Sequence, residues 1–449
     1  MYHQDYPAES VAGSPASLTA HVPGFLCWFS ITIASIFNTQ AIAGPDADLR
    51  LLSTQLSPPH EARAMRDEIL SDFSQQVVFQ AYSMEKIFQL LVLARESQGA
   101  RTDVVGALHG DFASLSQFDI FSPVGHLLES LGPQRFVGSH LALGRMKSPQ
   151  QKFIPWMQAT YLMVANRRAL KHLPDNVDLN HLSYAQLREW AENMRREAGR
   201  PKLGFPAGSG GLMHRFFQGY LYPSYTASTV TGFKSAEARL MWREFRELWL
   251  QVNKRSLTYA RMDKALLAEE VWVAWDHTAR LSRALQERPE DFIAFPSPVG
   301  PRGRGFMLVL AGLAIPRDTA SPETAESLIE YLTRTDTQIK TLENVGFFPT
   351  VTIPAETKTT PGITSLQEAV AMQSGAQNSV MTLFPVGLKN DARAFNLAYM
   401  GAFSGIVLRG RDIVTVLEEQ AGKINRLLRK NNISCWLPDP EGPPPCQAD

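Results

Sequence analysis

Short apolar runs alternate with segments of helical spacing along most of this chain, and that rhythm constrains its fold more than any other feature. Residues 48–55 read as a strand, Pro58 and Pro59 break it, and 61–73 read as a helix. Residues 76–82 give a second strand. Over 84–96, Ile87, Leu90, Leu91 and Ala94 fall at helical spacing, and 102–105 (TDVV) read as a third, buried strand. Strands taken in turn with helices pack as α/β layers around a largely parallel sheet, and such sheets bind ligands beyond the carboxyl ends of their strands.

The rhythm continues downstream. Residues 160–165 (TYLMVA) and 306–315 are apolar strands, and 265–274 is a helix end followed by a strand. Helices are expected over 167–173, from an N-cap at Ser183, over 235–252, over 324–332 from a start near Ser321 and Pro322, and over 411–428. Residues 204–211 (GFPAGSGG) and 296–305 (PSPVGPRGRG) are loops, and the Pro-rich tail 438–449 is expected to be disordered.

The 449 residues suffice for two or three domains, and 44 basic side chains balance 44 acidic ones. That balance argues against nucleic acid or an anionic membrane as partner, and points to a small or neutral ligand. The first 49 residues hold no Lys or Arg, and 25–37 (FLCWFSITIASIF) is charge-free. Thirteen residues are too few to span a bilayer but suit the apolar region of an export signal. Ala41-Ile42-Ala43 then offers a peptidase its small-x-small site. A cleavable signal over 1–43 implies a periplasmic or extracytoplasmic protein; a buried apolar helix or strand is the alternative. Cys27 would leave with the signal, while Cys435 and Cys446 either pair in an oxidising compartment or remain thiols.

Four stretches together resemble the extracellular solute-binding proteins of carbohydrate ABC importers, the maltose-binding-protein-like family. They are 89–115 (QLLVLARESQGARTDVVGALHGDFASL), MQATYLMVANRRALKHLP, ALLAEEVWVAWDHTARL, and 295–351 with FPSPVGPRGRG, LAGLAIPRDT, SPETAESLIEYLTRTDTQI and NVGFFPTV. Each is weak alone, but the four fall in the family's order over roughly 50–351. The resemblance implies an α/β periplasmic-binding-protein fold, two lobes of mixed sheet flanked by helices and joined by hinge crossovers. Lobe one would take 44–158 and 312–345, and lobe two 159–311 and 346–437. It further implies a monomer that captures a small carbohydrate or polyol without a cofactor or metal and hands it to a membrane permease.

A sugar site needs planar polar side chains beside an aromatic platform. Trp275, Asp276 and His277 supply all three kinds at one strand end, with core packing the alternative for Trp275. His109, Asp111 and Phe112 follow the 102–105 strand; Asp111 would accept hydroxyl protons while Phe112 stacks, unless Asp111 is a helix N-cap. Arg304 lies between glycines where backbone and ligand can approach, or is a solvated loop arginine. Phe347 and Phe348 fall at the third crossover, and Gly210, Gly211 and His214 on a loop the family turns toward ligand. Two rival readings share these residues: a sensory binding protein presenting its ligand to a receptor, and an exported glycoside-acting enzyme using Asp111 and Asp276 as paired carboxylates. Gly-x-Ser-x-Gly, His-Glu-x-x-His and phosphate-loop motifs are all missing from the sequence.

Overall fold

The computed structural model describes residues 48–449 except 57, 94–101, 355 and 389–390. The export signal expected over 1–43, Cys27 and the middle of the 89–115 stretch lie outside the described residues. No described helix is long and apolar enough to cross a membrane.

In chain order the strands are β1 (Leu49–Ser53), β2 (Val77–Ala81), β3 (Val104–Leu108), β4 (Ile154–Ala159), β5 (Tyr161–Asn166) and β6 (Leu203–Gly204). They continue with β7 (Val273–His277), β8 (Phe292–Phe295), β9 (Arg304–Met307), β10 (Val309–Ala314), β11 (Phe348–Pro349) and β12 (Ser379–Thr382). The mostly apolar strands β1, β3, β4 and β10 are largely buried on both faces, and they form the centre of a six-stranded sheet in the order β11-β4-β10-β3-β1-β2. β1 pairs parallel with β2 and β3, but β10 runs antiparallel between β3 and β4. The first sheet is therefore mixed, because the chain returns to it from the other lobe instead of through a local crossover helix. A four-stranded sheet, β6-β7-β5-β8, carries the second lobe, and β9 pairs with β12 beside it.

The chain passes between the two large sheets at single residues. Thr160 separates β4 from β5, and Leu308 breaks the expected 306–315 strand into β9 and β10. Buried polar groups lock this crossing. Tyr161 N–H donates to the Tyr220 hydroxyl at 2.8 Å, and Thr160 Oγ1 donates to the Met307 carbonyl at 3.0 Å. Gln373, on the helix Pro361–Gly375, donates to Thr160 Oγ1 and to the Tyr161 carbonyl. Three chain passages thus meet in one satisfied network, where any unpaired group would be costly.

Local signals set several helices. Ser183 caps Tyr184–Ala198 with a reciprocal Gln186 contact, and Leu187, Trp190, Ala191 and Met194 form its buried stripe. Asp412 caps the long helix Ile413–Lys430. The tail departs from expectation. Asp439 takes backbone N–H groups of Thr229, Val230 and Thr231 at 2.6–3.0 Å, and the Thr231 hydroxyl at 2.7 Å. A disulfide joins Cys435 to Cys446, and Trp436 and Ala448 are buried. Proline content suggested disorder, but tertiary anchors about 200 residues upstream hold the tail.

Candidate ligand-binding site

A cleft of about 700 Å³ opens between the lobes. Its first wall is the carboxyl end of β3, the helix His109–Leu115 that follows, and the helix Met84–Phe88. Its second wall is Arg215, the segment from Phe384 to Leu388, and the start of the helix Ala392–Phe403. The lobes close in at Gly110, where a side chain would meet the Pro385 carbonyl at 3.6 Å and Phe384 at 3.8 Å.

Asp111 sits on the first wall within the helix, not at its N-cap, which is Leu108. Its Oδ2 accepts from the Thr54 hydroxyl at 3.0 Å. Burial raises its pKa to about 6, against the pull of Thr54, the Leu108 backbone and Arg215 across the cleft. Arg215 donates to Gln218 Oε1 at 3.0 Å and lies over the Phe384 ring, 4.3 Å from its centroid. Burial lowers the pKa of its guanidinium, opposed by Tyr161 and Asp111. Phe88 and Phe118 meet edge to face at 5.2 Å on the first wall, so the cleft pairs polar groups with aromatic faces.

The other residues expected at the site divide. His109 is buried beside Phe384, and burial lowers its pKa to about 4. Phe112 stacks on Phe153 at 4.9 Å inside lobe one and offers no face to the cleft. Trp275 is fully buried, stacked on Tyr161 at 4.9 Å with Phe216 and Tyr220 on its edges. Both Asp276 oxygens are spent on the backbone N–H groups of Met262 and His277. His277 caps the helix Thr278–Glu287 through Nδ1 and packs against Phe347; burial, Arg280 and Arg261 lower its pKa to about 3. His214 adjoins Arg215, its pKa lowered to about 3 by burial first and then by Arg215 and Arg280. Phe348 belongs to the lobe-two core. Arg304 is buried at the start of β9, bonded to the Met372 and Asn180 carbonyls, and so ties that strand to the helix Pro361–Gly375 and to the segment at Asn180 instead of meeting solvent or ligand. Gly210 and Gly211 turn a loop packed near Ala260 and Pro206, outside the cleft lining.

Sequence reading missed Arg215, Asn396, Phe384, Phe88 and Phe118, because each reaches the cleft through long-range packing. Glu61, outside the cleft lining, is a second partly buried carboxyl: burial raises its pKa to about 7, against the pull of Arg261 and Arg280 on the opposite lobe.

Residues 72–368 match the sequence profile described as bacterial extracellular solute-binding protein. The chain belongs to that family. The family implies that the protein works outside the cytoplasm, as a binder of solutes. Solved structures share its fold. The sugar-binding protein MalE from Xanthomonas citri superposes with a TM-score of 0.66 at 15% identity, over 86% of this chain and 98% of that one. UgpB from Mycobacterium tuberculosis, in complex with glycerophosphocholine, gives 0.65 at 17% identity, over 86% and 99%. The GacH receptor of Streptomyces glaucescens gives 0.64 at 13%, over 85% and 99%. No curated protein matches the sequence. At such identities the likeness carries the two-lobed architecture, and ligand chemistry has to be argued from the cleft itself.

Proposed function

We propose that the protein captures a small carbohydrate or polyol in the inter-lobe cleft and delivers it to the membrane permease of an ABC importer. The observation that carries this reading is the cleft's composition: a carboxylate acceptor, Asp111, faces guanidinium and amide donors, with Phe88, Phe118 and Phe384 around them. Ring hydroxyls supply paired donors and acceptors, and the C–H faces of a sugar suit aromatic surfaces. Residues 1–43 serve as the export signal and are removed. Lobe one spans 44–158 and 312–345, and ligand contacts from both lobes favour the closed form that a permease reads.

Binding alone accounts for the site better than glycoside hydrolysis does. Asp276, the second carboxylate an enzyme would need, is fully buried with both oxygens engaged by backbone. A thermal-shift screen of the purified protein against sugars, polyols and their charged derivatives tests the reading. A ligand from this class raises the melting temperature with its excess over Kd. A response confined to amino acids or peptides would overturn the carbohydrate class, and turnover of a glycoside would overturn binding as the sole activity.

A further inference from the structure

We infer that the solute is an anionic polyol, a hydroxylated molecule carrying a phosphate or carboxylate group that docks on the Arg215 wall of the cleft. The inference rests on the proposed carbohydrate-class reading and narrows it. Arginine has no acceptor, so Gln218 must turn Oε1 toward Arg215. Its amide nitrogen then donates to Asn396 Oδ1 at 3.0 Å. That in turn aims the Asn396 NH₂ away from Gln218. A relay of three side chains thereby leaves Arg215 and Asn396 as donors on the lobe-two wall.

Charge points the same way. Among the described residues no carboxylate lies within ion-pair distance of Arg215 or of Arg393, the second arginine of the cleft lining. Gln218 is neutral and the Phe384 ring offers only its π face, so among the described residues the half-buried Arg215 charge feels Asp111 across the cleft but has no carboxylate in direct contact. A charge held off water calls for a counter-charge, and a planar fork suits the paired oxygens of carboxylate or phosphate. Asp111 on the facing wall would repel the anionic group, which places that group on lobe two and leaves Asp111 to take hydroxyl protons. The ligand thus has two ends of different chemistry. The balanced charge of the whole chain hides this local asymmetry.

Calorimetric titration of the folded protein with glycerol 3-phosphate, glucose 6-phosphate and galacturonate, set against glycerol, glucose and maltose, tests the inference. At least one anionic probe is expected to bind roughly tenfold or more tightly than its neutral parent, and the phosphate and carboxylate arms say which oxyanion is used. Arg215→Met should weaken that binding roughly 30-fold or more. Arg393→Ala, at an exposed position that folding tolerates, should weaken it several-fold, and more so at low salt. Binding of a neutral sugar with unchanged affinity in Arg215→Met overturns the anionic requirement while leaving the carbohydrate reading intact. Failure of every anionic polyol to bind overturns it as well. A response to amino acids or peptides alone overturns both.

Discussion

Replacing Asp111 by Asn should make the ligand-free protein more stable and a poorer binder. The carboxyl is an acid whose folded pKa, about 6, lies above the ordinary aspartate value of 3.8 because burial strips it of water. Between those values the folded state holds a proton that the unfolded chain releases. The stabilisation is therefore complete below pH 4 and is lost as the pH rises through 6. About two pK units at 1.36 kcal/mol each correspond to about 3 kcal/mol of strain at pH 8. With an unfolding entropy near 0.8 kcal/mol/K for about 400 ordered residues, that is a Tm shift of about 4 °C. Asparagine keeps an oxygen for the Thr54 hydroxyl but carries no charge. Scanning calorimetry from pH 4 to 9 should show Asp111→Asn gaining about 4 °C over the wild type at pH 8, with the advantage vanishing near pH 4. At pH 8 the same variant should bind its ligand about tenfold or more weakly, because hydroxyl donation to a charged acceptor is lost. A variant no more stable than wild type at pH 8 would refute the desolvation argument. One that gained stability with binding intact would remove Asp111 from the site.

Three further perturbations test the frame around the cleft. Asp439→Ala strips partners from three backbone N–H groups and should cost about 3–5 kcal/mol, or roughly 5 °C in Tm; Asp439→Asn should cost less than half of that. Reducing the Cys435–Cys446 disulfide releases an 11-residue separation and should lower stability by about 3 kcal/mol, read as a drop in the urea midpoint under dithiothreitol. Trp275→Ala opens a cavity between Tyr161, Phe216 and Tyr220 and should cost about 3–5 kcal/mol; unchanged thermal stability would contradict its core placement.

The architecture was legible where local chemistry and tertiary structure agree. Short apolar stretches announced β1 and β3, and Ser183 ahead of the apolar stripe Leu187, Trp190, Ala191 and Met194 announced a helix start. The mixed sheet came from the resemblance and not from the strand rhythm, which suggested a largely parallel one, because the antiparallel place of β10 depends on a return from the second lobe. Asp111 was found because it follows a strand's carboxyl end. Arg215 was not, since nothing near it signals a role until Phe384 and Gln218 pack around it. Trp275 shows the opposite failure: an aromatic at a strand end suits a platform or a core equally, and only Tyr161 stacked upon it decides between them. Arg304 has the same lesson, its glycine neighbours suggesting exposure while two distant carbonyls bury it.

Ligand held between the two lobes should drive them together. Spin labels on the exposed positions Glu129 of lobe one and Leu250 of lobe two report that distance directly. With a binder from the polyol panel at saturation, the distance distribution should narrow to a single shorter population, and Arg215→Met should need a higher ligand concentration to reach it. A distribution unchanged by saturating ligand would contradict capture by lobe closure.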